Sequence, residues 1–384
     1  MKRRLVILTE IIAPYRVPVF NALARRPEID PHVIFLAETD STLRQWEVPK
    51  EQIQFSYEVL PSWRKRFGSH SLLVNSGLGR ALRKAAPEAI VCGGYNYPAS
   101  WRALWWARRR KVRFLVWVES TQMDQRGGRP LIESLKKRFI QGCDAFVVPG
   151  KSSFDYVRSF HVPADTIFTA PNAVDTDFFA TQAETIRRDQ AAHRQALGLP
   201  RRYFLAVGRL VPEKGVFDLL EAYGGLPSEV RAEIGLVFVG DGIARPELER
   251  RARELAPAAI CFPGFAQREQ LAQYYALADA FVFPTHSDPW GLVVNEAMAC
   301  GLPIFCTDLA GCAADLVKDG WNGRIVPAKD PGRLGSTMRE MVERPDLTRS
   351  MGKNSRELIG EYSPQACAAG IARSAFPLGG PLHG

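Results

Sequence analysis

Short unbroken runs of Val, Ile, Leu and Phe recur along this chain, at 5–8, 33–36, 89–92, 114–118, 145–148 and 166–169. They recur again at 203–207, 236–239, 259–262, 280–283, 303–306 and 324–326. Runs of that length without polar alternation predict strands buried on both faces. Longer stretches with helical spacing lie between those of the first half, near 17–25, 73–85, 100–110, 132–140 and 154–160, and the second half repeats the scheme. Strands that alternate with helices imply parallel sheets covered on both sides. The alternation lapses at 171–201, which is polar, charged and without a buried-strand pattern. At 384 residues the chain is too long for one ordinary core, so two doubly wound α/β domains are expected. The expected division is 1–184, 185–365 and a tail, 366–384, that packs back on the first domain, its end Gly/Pro-rich and irregular from 374. Two such domains create a cleft between the carboxyl ends of their sheets, where ligands of doubly wound folds bind.

Composition narrows the setting. With 46% hydrophobic and 24% charged residues the chain reads as a soluble globular protein. Its longest uncharged runs, 89–101 and 255–267, fall short of the roughly 18 residues a membrane span needs. Met1-Lys2-Arg3-Arg4 resembles the start of a signal peptide, but the apolar run behind it is cut at Thr9-Glu10. The expected location is the cytoplasm, at the inner face of the membrane if the acceptor is lipid-bound. Seven cysteines, none in a CxxC pair and most in apolar company, read as buried thiols rather than metal ligands or disulfides. The charge excess is one-sided. Residues 1–184 hold 27 Lys and Arg against 18 Asp and Glu, whereas the remainder is balanced at 23 each. A basic first half attracts an anionic membrane surface or a phospholipid-linked acceptor. Trp and Arg mix at 63–67, read as a loop, and at 101–111, where the alternatives are headgroup contact and a helix that buries its Trp face. No RNA-binding motif accompanies the basic excess, so no nucleic-acid partner is expected.

Two stretches carry chemistry. In 281–311 a β-rich run meets Pro284 and a polar loop, and an amphipathic stretch then runs from Gly291-Leu292 to Gly301. The free N–H groups of Gly291, Leu292 and Val293 would form an anion site. Asp288 and Glu296 bracket the turn into that helix with seven residues between them, and a Glu one turn in favours hydroxyls as its partner. An anion beside hydroxyls suggests a nucleotide sugar. The second stretch, GRLVPEKG at 208–215, has Gly208 for a close backbone turn and Arg209 and Lys214 across a short loop, able to converge on one anion. It is not a Walker loop, because Gly-Lys-Ser/Thr is absent.

GRLVPEKG, then DPWGLVVNEAMACGLPI, then Ala310-Gly311 and Asp319-Gly320-Trp321-Asn322-Gly323, resembles the donor domain of retaining GT-B glycosyltransferases of the glycogen-synthase-like group, glycosyltransferase family four. The likeness is close over 203–330, and PNAVDTDFF at 171–179 resembles the segment that leads into that domain. The first half matches in strand order and lengths. The resemblance implies two doubly wound Rossmann-like domains facing each other across a cleft, the first binding acceptor and the second the nucleotide-sugar donor. It implies that Arg209 and Lys214 bind the diphosphate, that Glu296 holds the ribose hydroxyls, and that Gly291 and Leu292 donate backbone N–H groups to the phosphates. Gly208 belongs to the same site, and Gly264 and Phe265 lie where the base is held. Two departures stand out. The first acid of the family's E-x7-E motif is here Asp288, so its contact with the donor sugar is re-aimed or it forms an Asp-Pro turn. The acceptor domain has Ile11-Ile12-Ala13-Pro14-Tyr15-Arg16 where many relatives carry a Gly-Gly loop, and Glu119-Ser120-Thr121 near the family's His. Glu119 either holds a sugar or acceptor hydroxyl or caps the loop 120–127.

The activity implied is transfer of a sugar, from a UDP-sugar by preference, to a hydroxyl of a glycan or lipid-linked acceptor in polysaccharide or lipopolysaccharide assembly. No cofactor and no metal are expected. Asp175-Thr176-Asp177 falls within the lead-in segment. A glycoside hydrolase using Asp288 and Glu296 would not need the Arg/Lys clamp, whereas an inactive sugar-nucleotide or membrane-binding protein of the same fold is permitted by the two departures.

Overall fold

The computed structural model describes residues 2–39, 48, 50–67, 70–122, 130–255 and 259–377. Most of the loop after Glu119 and the last seven tail residues lie outside them. The chain divides into two units, one of residues 1–174 with 363–384 and one of 175–362.

The described residues of unit 1 form nine strands: β1 (Arg3–Thr9), β2 (Ile29–Phe35), β3 (Ser56–Val59), β4 (Ser62–Phe67), β5 (His70–Asn75), β6 (Ala89–Cys92), β7 (Arg113–Trp117), β8 (Ala145–Val148) and β9 (Ile167–Thr169). Seven form one parallel sheet in the order β3-β2-β1-β6-β7-β8-β9. Alternate residues of β1 serve opposite faces: Val6 and Leu8 enter one core, Leu5 and Ile7 the other. The second core is completed by the helix Pro364–Ala375, whose Cys367, Ile371 and Ala375 are buried beside Val17 and Phe20 of the helix Val17–Ala24. Arg113 ties that helix down by donating to the Ser374 carbonyl at 3.3 and 3.4 Å, and the Arg3 guanidinium lies 3.8 Å over the Phe376 ring.

Unit 2 holds β10 (Tyr203–Val207), β11 (Gly235–Val239), β12 (Ile260–Gly264), β13 (Ala280–Phe283), β14 (Ile304–Thr307) and β15 (Gly323–Val326), all parallel, in the order β12-β11-β10-β13-β14-β15. The order reverses between β10 and β13. Beyond the carboxyl ends of the strands at such a reversal, the flanking loops part and leave a ligand crevice.

Three expectations shift. The division falls at 174/175 rather than 184/185, because the helix Thr176–Ile186 packs on the helices Arg268–Leu277 and Leu292–Ala299, with Phe179 edge-on to Tyr275. Residues 63–67 form a strand rather than a loop: β4 pairs antiparallel with β5, Trp63 opposite Val74 and Lys65 opposite Leu72. The helix expected over 73–85 starts at Leu78, since residues 73–75 finish β5. Strands β3 and β4 escape a search for apolar runs because their outer residues meet water. Over 98–110 the Trp-rich helix buries one face and exposes the other. Trp106 is buried, while Trp105 is 57% exposed with the Arg109 guanidinium 3.7 Å above its ring. Among the described residues no helix is long and apolar enough to cross a membrane.

A Cβ on Gly370 would lie 2.4 Å from the Thr169 carbonyl oxygen and 2.6 Å from the Ala170 Cα. Gly370→Val is therefore expected to destabilise unit 1 by about 1–3 kcal/mol. Denaturant titration, with hydrogen exchange to separate the units, checks that protection falls in unit 1 and not in unit 2.

Candidate active site

The loops at the order reversal are stitched together through their backbones. Gly208 N–H donates to the Val239 carbonyl at 3.0 Å, Leu210 N–H to Asp241 at 2.9 Å and Gly240 N–H to Gly264 at 2.8 Å, which joins the ends of β10, β11 and β12. His286 N–H donates to the Glu213 carbonyl at 2.9 Å, which joins the loops after β10 and β13. This last approach needs Gly215. Its φ is +66°, and a Cβ there would sit 1.8 Å from the Pro284 carbonyl oxygen.

That stitching delivers Lys214 to Asp288. The ammonium lies 2.6 Å from Asp288 Oδ2 and donates to the Ser287 carbonyl at 3.1 Å, both side chains being about four-fifths buried. Asp288 Oδ1 accepts from the Trp290 N–H at 3.0 Å. Both carboxylate oxygens are thus engaged, one fixing the turn and the other the lysine. Gly291, with φ +92°, then opens the helix Leu292–Ala299. The N–H groups of Gly291, Leu292 and Val293 find no acceptor among the described residues. Arg209, on the neighbouring loop, is exposed and makes no ion pair among the described residues. An ammonium, a guanidinium and a helix N-terminus at one sheet end suit a diphosphate.

Glu296 stands one turn into the same helix. Its Oε2 accepts from the Tyr275 hydroxyl at 2.8 Å. Burial pushes its carboxyl up to about 7, against the Tyr275 hydrogen bond and the positive charge of Arg268, both of which favour the ionised form. Arg268 is itself placed by Asp175, at 2.6 Å, and by the Phe178 ring, 3.8 Å below its guanidinium. Asp175 also caps the helix Thr176–Ile186 by accepting from the Phe178 N–H. At the end of β12, Gly264 has φ +91° and Phe265 is 46% exposed, a ring face open to stacking. Among the described residues no group of three or more His, Cys, Asp and Glu is arranged to hold a metal.

Glu119 belongs to unit 1, beyond the carboxyl end of β7. Its Oε1 is 2.5 Å from Arg16 Nη2, and the Arg16 guanidinium stacks 3.9 Å from the Trp117 ring. Burial works against the charge on Arg16, but Glu119, with Tyr15 and Cys367, together outweighs it, so the arginine's pKa is raised. Arg16 thus occupies the loop where a Gly-Gly turn stands in many relatives, and it orients Glu119.

Sequence reading left out Tyr275, Arg268 and the pair His286–Asp218, joined at 2.7 Å. Tyr275 and Arg268 lie 21 and 28 residues before Glu296 and meet it only through packing. His286 had a local signal, three residues after β13 in the loop that holds Asp288.

Family models match both halves. The model for glycosyl transferases group 1 covers residues 189–358, and that for glycosyltransferase family 4 covers residues 20–178. The chain is 31% identical over 229 residues to D-inositol 3-phosphate glycosyltransferase 2 of Catenulispora acidiphila, which is 57% of this chain and 52% of that protein. It spans about half the length of the curated relatives it matches. HepE of Anabaena, crystallised with UDP, superposes with a TM-score of 0.73 at 17% identity, over 98% of this chain and 100% of that one. WaaG, a glycosyltransferase involved in lipopolysaccharide biosynthesis, superposes with a TM-score of 0.70 at 16% identity, over 97% and 100%. At these identities the likeness to solved structures is one of fold. The two family models, which between them span residues 20–178 and 189–358, place this chain among the glycosyltransferases of family four, with the GT-B fold.

Proposed function

We propose that this protein transfers a glycosyl group from a nucleotide-diphosphate sugar, a UDP-sugar by preference, to a hydroxyl of a glycan or lipid-linked acceptor, with retention at the anomeric carbon. The observation that carries the reading is the convergence of Arg209, Lys214 and the free N–H groups of 291–293 at the order reversal of one sheet. The UDP bound to HepE supports the choice of donor base, and the likeness to WaaG supports a place in cell-surface polysaccharide or lipopolysaccharide assembly.

In this reading the diphosphate lies on the helix N-terminus between Arg209 and Lys214. Glu296 accepts from the ribose hydroxyls, and Phe265 stacks on the base. Asp288 is a positioning residue that aims the Lys214 ammonium at the leaving phosphate. As the bond from the anomeric carbon to the diphosphate oxygen breaks, negative charge grows on that oxygen, and the two cations and the helix dipole stabilise it. The acceptor oxygen bonds to the anomeric carbon on the same face, and its proton passes to the departing phosphate oxygen. A covalent intermediate would require a carboxylate on the opposite face, about 5.5 Å from a second one, and the sequence gives no clear candidate. The charge is met by side chains and backbone, so the reading needs no metal or cofactor. We assign acceptor recognition to unit 1, with Glu119, oriented by Arg16, receiving an acceptor hydroxyl. The exposed Trp63 and Trp105 amid arginine and lysine support peripheral contact of that unit with an anionic membrane.

Donor hydrolysis in the absence of acceptor tests the activity. Purified protein incubated with UDP-sugars is expected to release UDP slowly, and a protein that only binds the donor would release none. Lys214→Ala is expected to lower kcat/KM about 100-fold with little change in fold, measured by product mass and thermal unfolding; a wild-type rate would remove Lys214 from the diphosphate site. Glu296→Gln is expected to weaken UDP binding about tenfold by calorimetry.

The raised pKa of Glu296 adds a pH dependence. Ribose hydroxyls require the ionised acceptor, so wild-type affinity for UDP should tighten as pH rises from 6 to 8, and that of Glu296→Gln should not. Stability runs the other way. The folded carboxyl keeps its proton to about 7 where the unfolded one releases it near 4.5, so this group's contribution falls as pH rises through that window. Calorimetric unfolding between pH 5 and 8 should show that fall reduced in Glu296→Gln.

A further inference from the structure

A cavity of about 640 Å³ opens in unit 2 at the amino ends of β13 and β14, the side of the sheet away from the candidate active site. Five cations line it, Arg187, Arg202, Arg349, Lys353 and Arg356. Glu184 and Asp279 are the acids of the lining, a net charge of +3 for the lining residues, and Glu233, 3.7 Å from Arg202, lies outside it. Asp279 is committed to Arg202, at 2.9 Å. Arg349 pairs with the exposed Asp346 at 3.1 Å. Lys353 and Arg356, both exposed on the helix Pro345–Leu358, make no ion pair among the described residues.

Arg187 is the anchor. It donates from Nε to the Ala276 carbonyl at 2.9 Å and from Nη2 to the Cys300 carbonyl at 2.7 Å, so its orientation is set by the last turns of two helices. Its side chain still meets the water of the cavity, and the Gly301 backbone beside it carries no side chain to cover it. Gly352 is needed for the same geometry, since a Cβ there would lie 2.3 Å from the Gly301 carbonyl oxygen. Desolvation lowers the pKa of Arg187, with Cys300 and Glu184 acting in the opposite sense. Capping two helix ends accounts for Arg187 alone. It does not extend to Lys353 and Arg356, two further cations on the facing helix that are left available to an anion in the cavity.

We propose that this cavity is a second anion site, separate from the donor site, that takes a small phosphorylated molecule of two or three negative charges, such as a diphosphate or a sugar phosphate. Arg187 presents a fixed guanidinium at its base, and Lys353 and Arg356 close on the ligand from the helix Pro345–Leu358. The volume admits a molecule of that size.

The test uses the full chain carrying Arg209→Ala and Lys214→Ala, which removes the cations of the candidate active site whatever that site binds. Inorganic pyrophosphate and a hexose phosphate are titrated separately by calorimetry. Saturable binding of either at one per chain is expected, weakened at least tenfold when Lys353→Ala and Arg356→Ala are added. The ligand that binds more tightly identifies the source of the phosphate. Both added positions are exposed, and an unchanged thermal unfolding curve verifies that the fold survives. Absence of binding in the Arg209→Ala, Lys214→Ala protein, or binding that Lys353→Ala and Arg356→Ala leave unchanged, would overturn the proposal.

Discussion

The candidate active site depends on how closely two loop backbones approach. The chain leaving β10 must pass within van der Waals contact of the chain leaving β13, and only a residue without a Cβ can stand where Gly215 meets the Pro284 carbonyl. From that contact follow the hydrogen bond of His286 to Glu213 and the meeting of Lys214 with Asp288. The lysine is thereby held in one place before any ligand arrives. A preset cation contributes more to the stabilisation of developing charge than one that must be ordered during the reaction.

Burial explains why the two acids of the motif diverge. Asp288 has both oxygens satisfied, by an ammonium and a backbone N–H, and it acts as part of the loop. Glu296 has a tyrosine hydroxyl and a nearby arginine charge, too little to offset desolvation, so its carboxyl holds a proton to about 7. Hydroxyl donors brought by a ligand would favour its ionised form and lower that pKa.

Unit 1 follows the same construction with different chemistry. Its β1 loop, which carries Arg16 in place of a glycine turn, spends a buried guanidinium on Glu119 and Trp117. Its hairpin β4–β5 and the helix 98–110 put Trp63 and Trp105 into water beside basic residues. Apolar surface of that kind, fringed by cations, suits a partner with an acidic, amphipathic face.

The sequence by itself determined the two parallel sheets, because unbroken apolar runs leave a strand no exposed face, and it marked the turns at Gly208 and Gly291, which take positive φ. Arg209, Lys214, Asp288 and Glu296 stand out as candidates because they lie at short spacings around those turns. What only the tertiary structure decided rests on contacts between distant segments. The division at 174/175 comes from Phe179 packing on Tyr275, and the edge strands β3 and β4 from pairing that no apolar run announces. The environment of Glu296 and the ring of cations around Arg187 are of this kind as well. Burial and charge sum over every neighbour in space, and a linear pattern records only the neighbours in line.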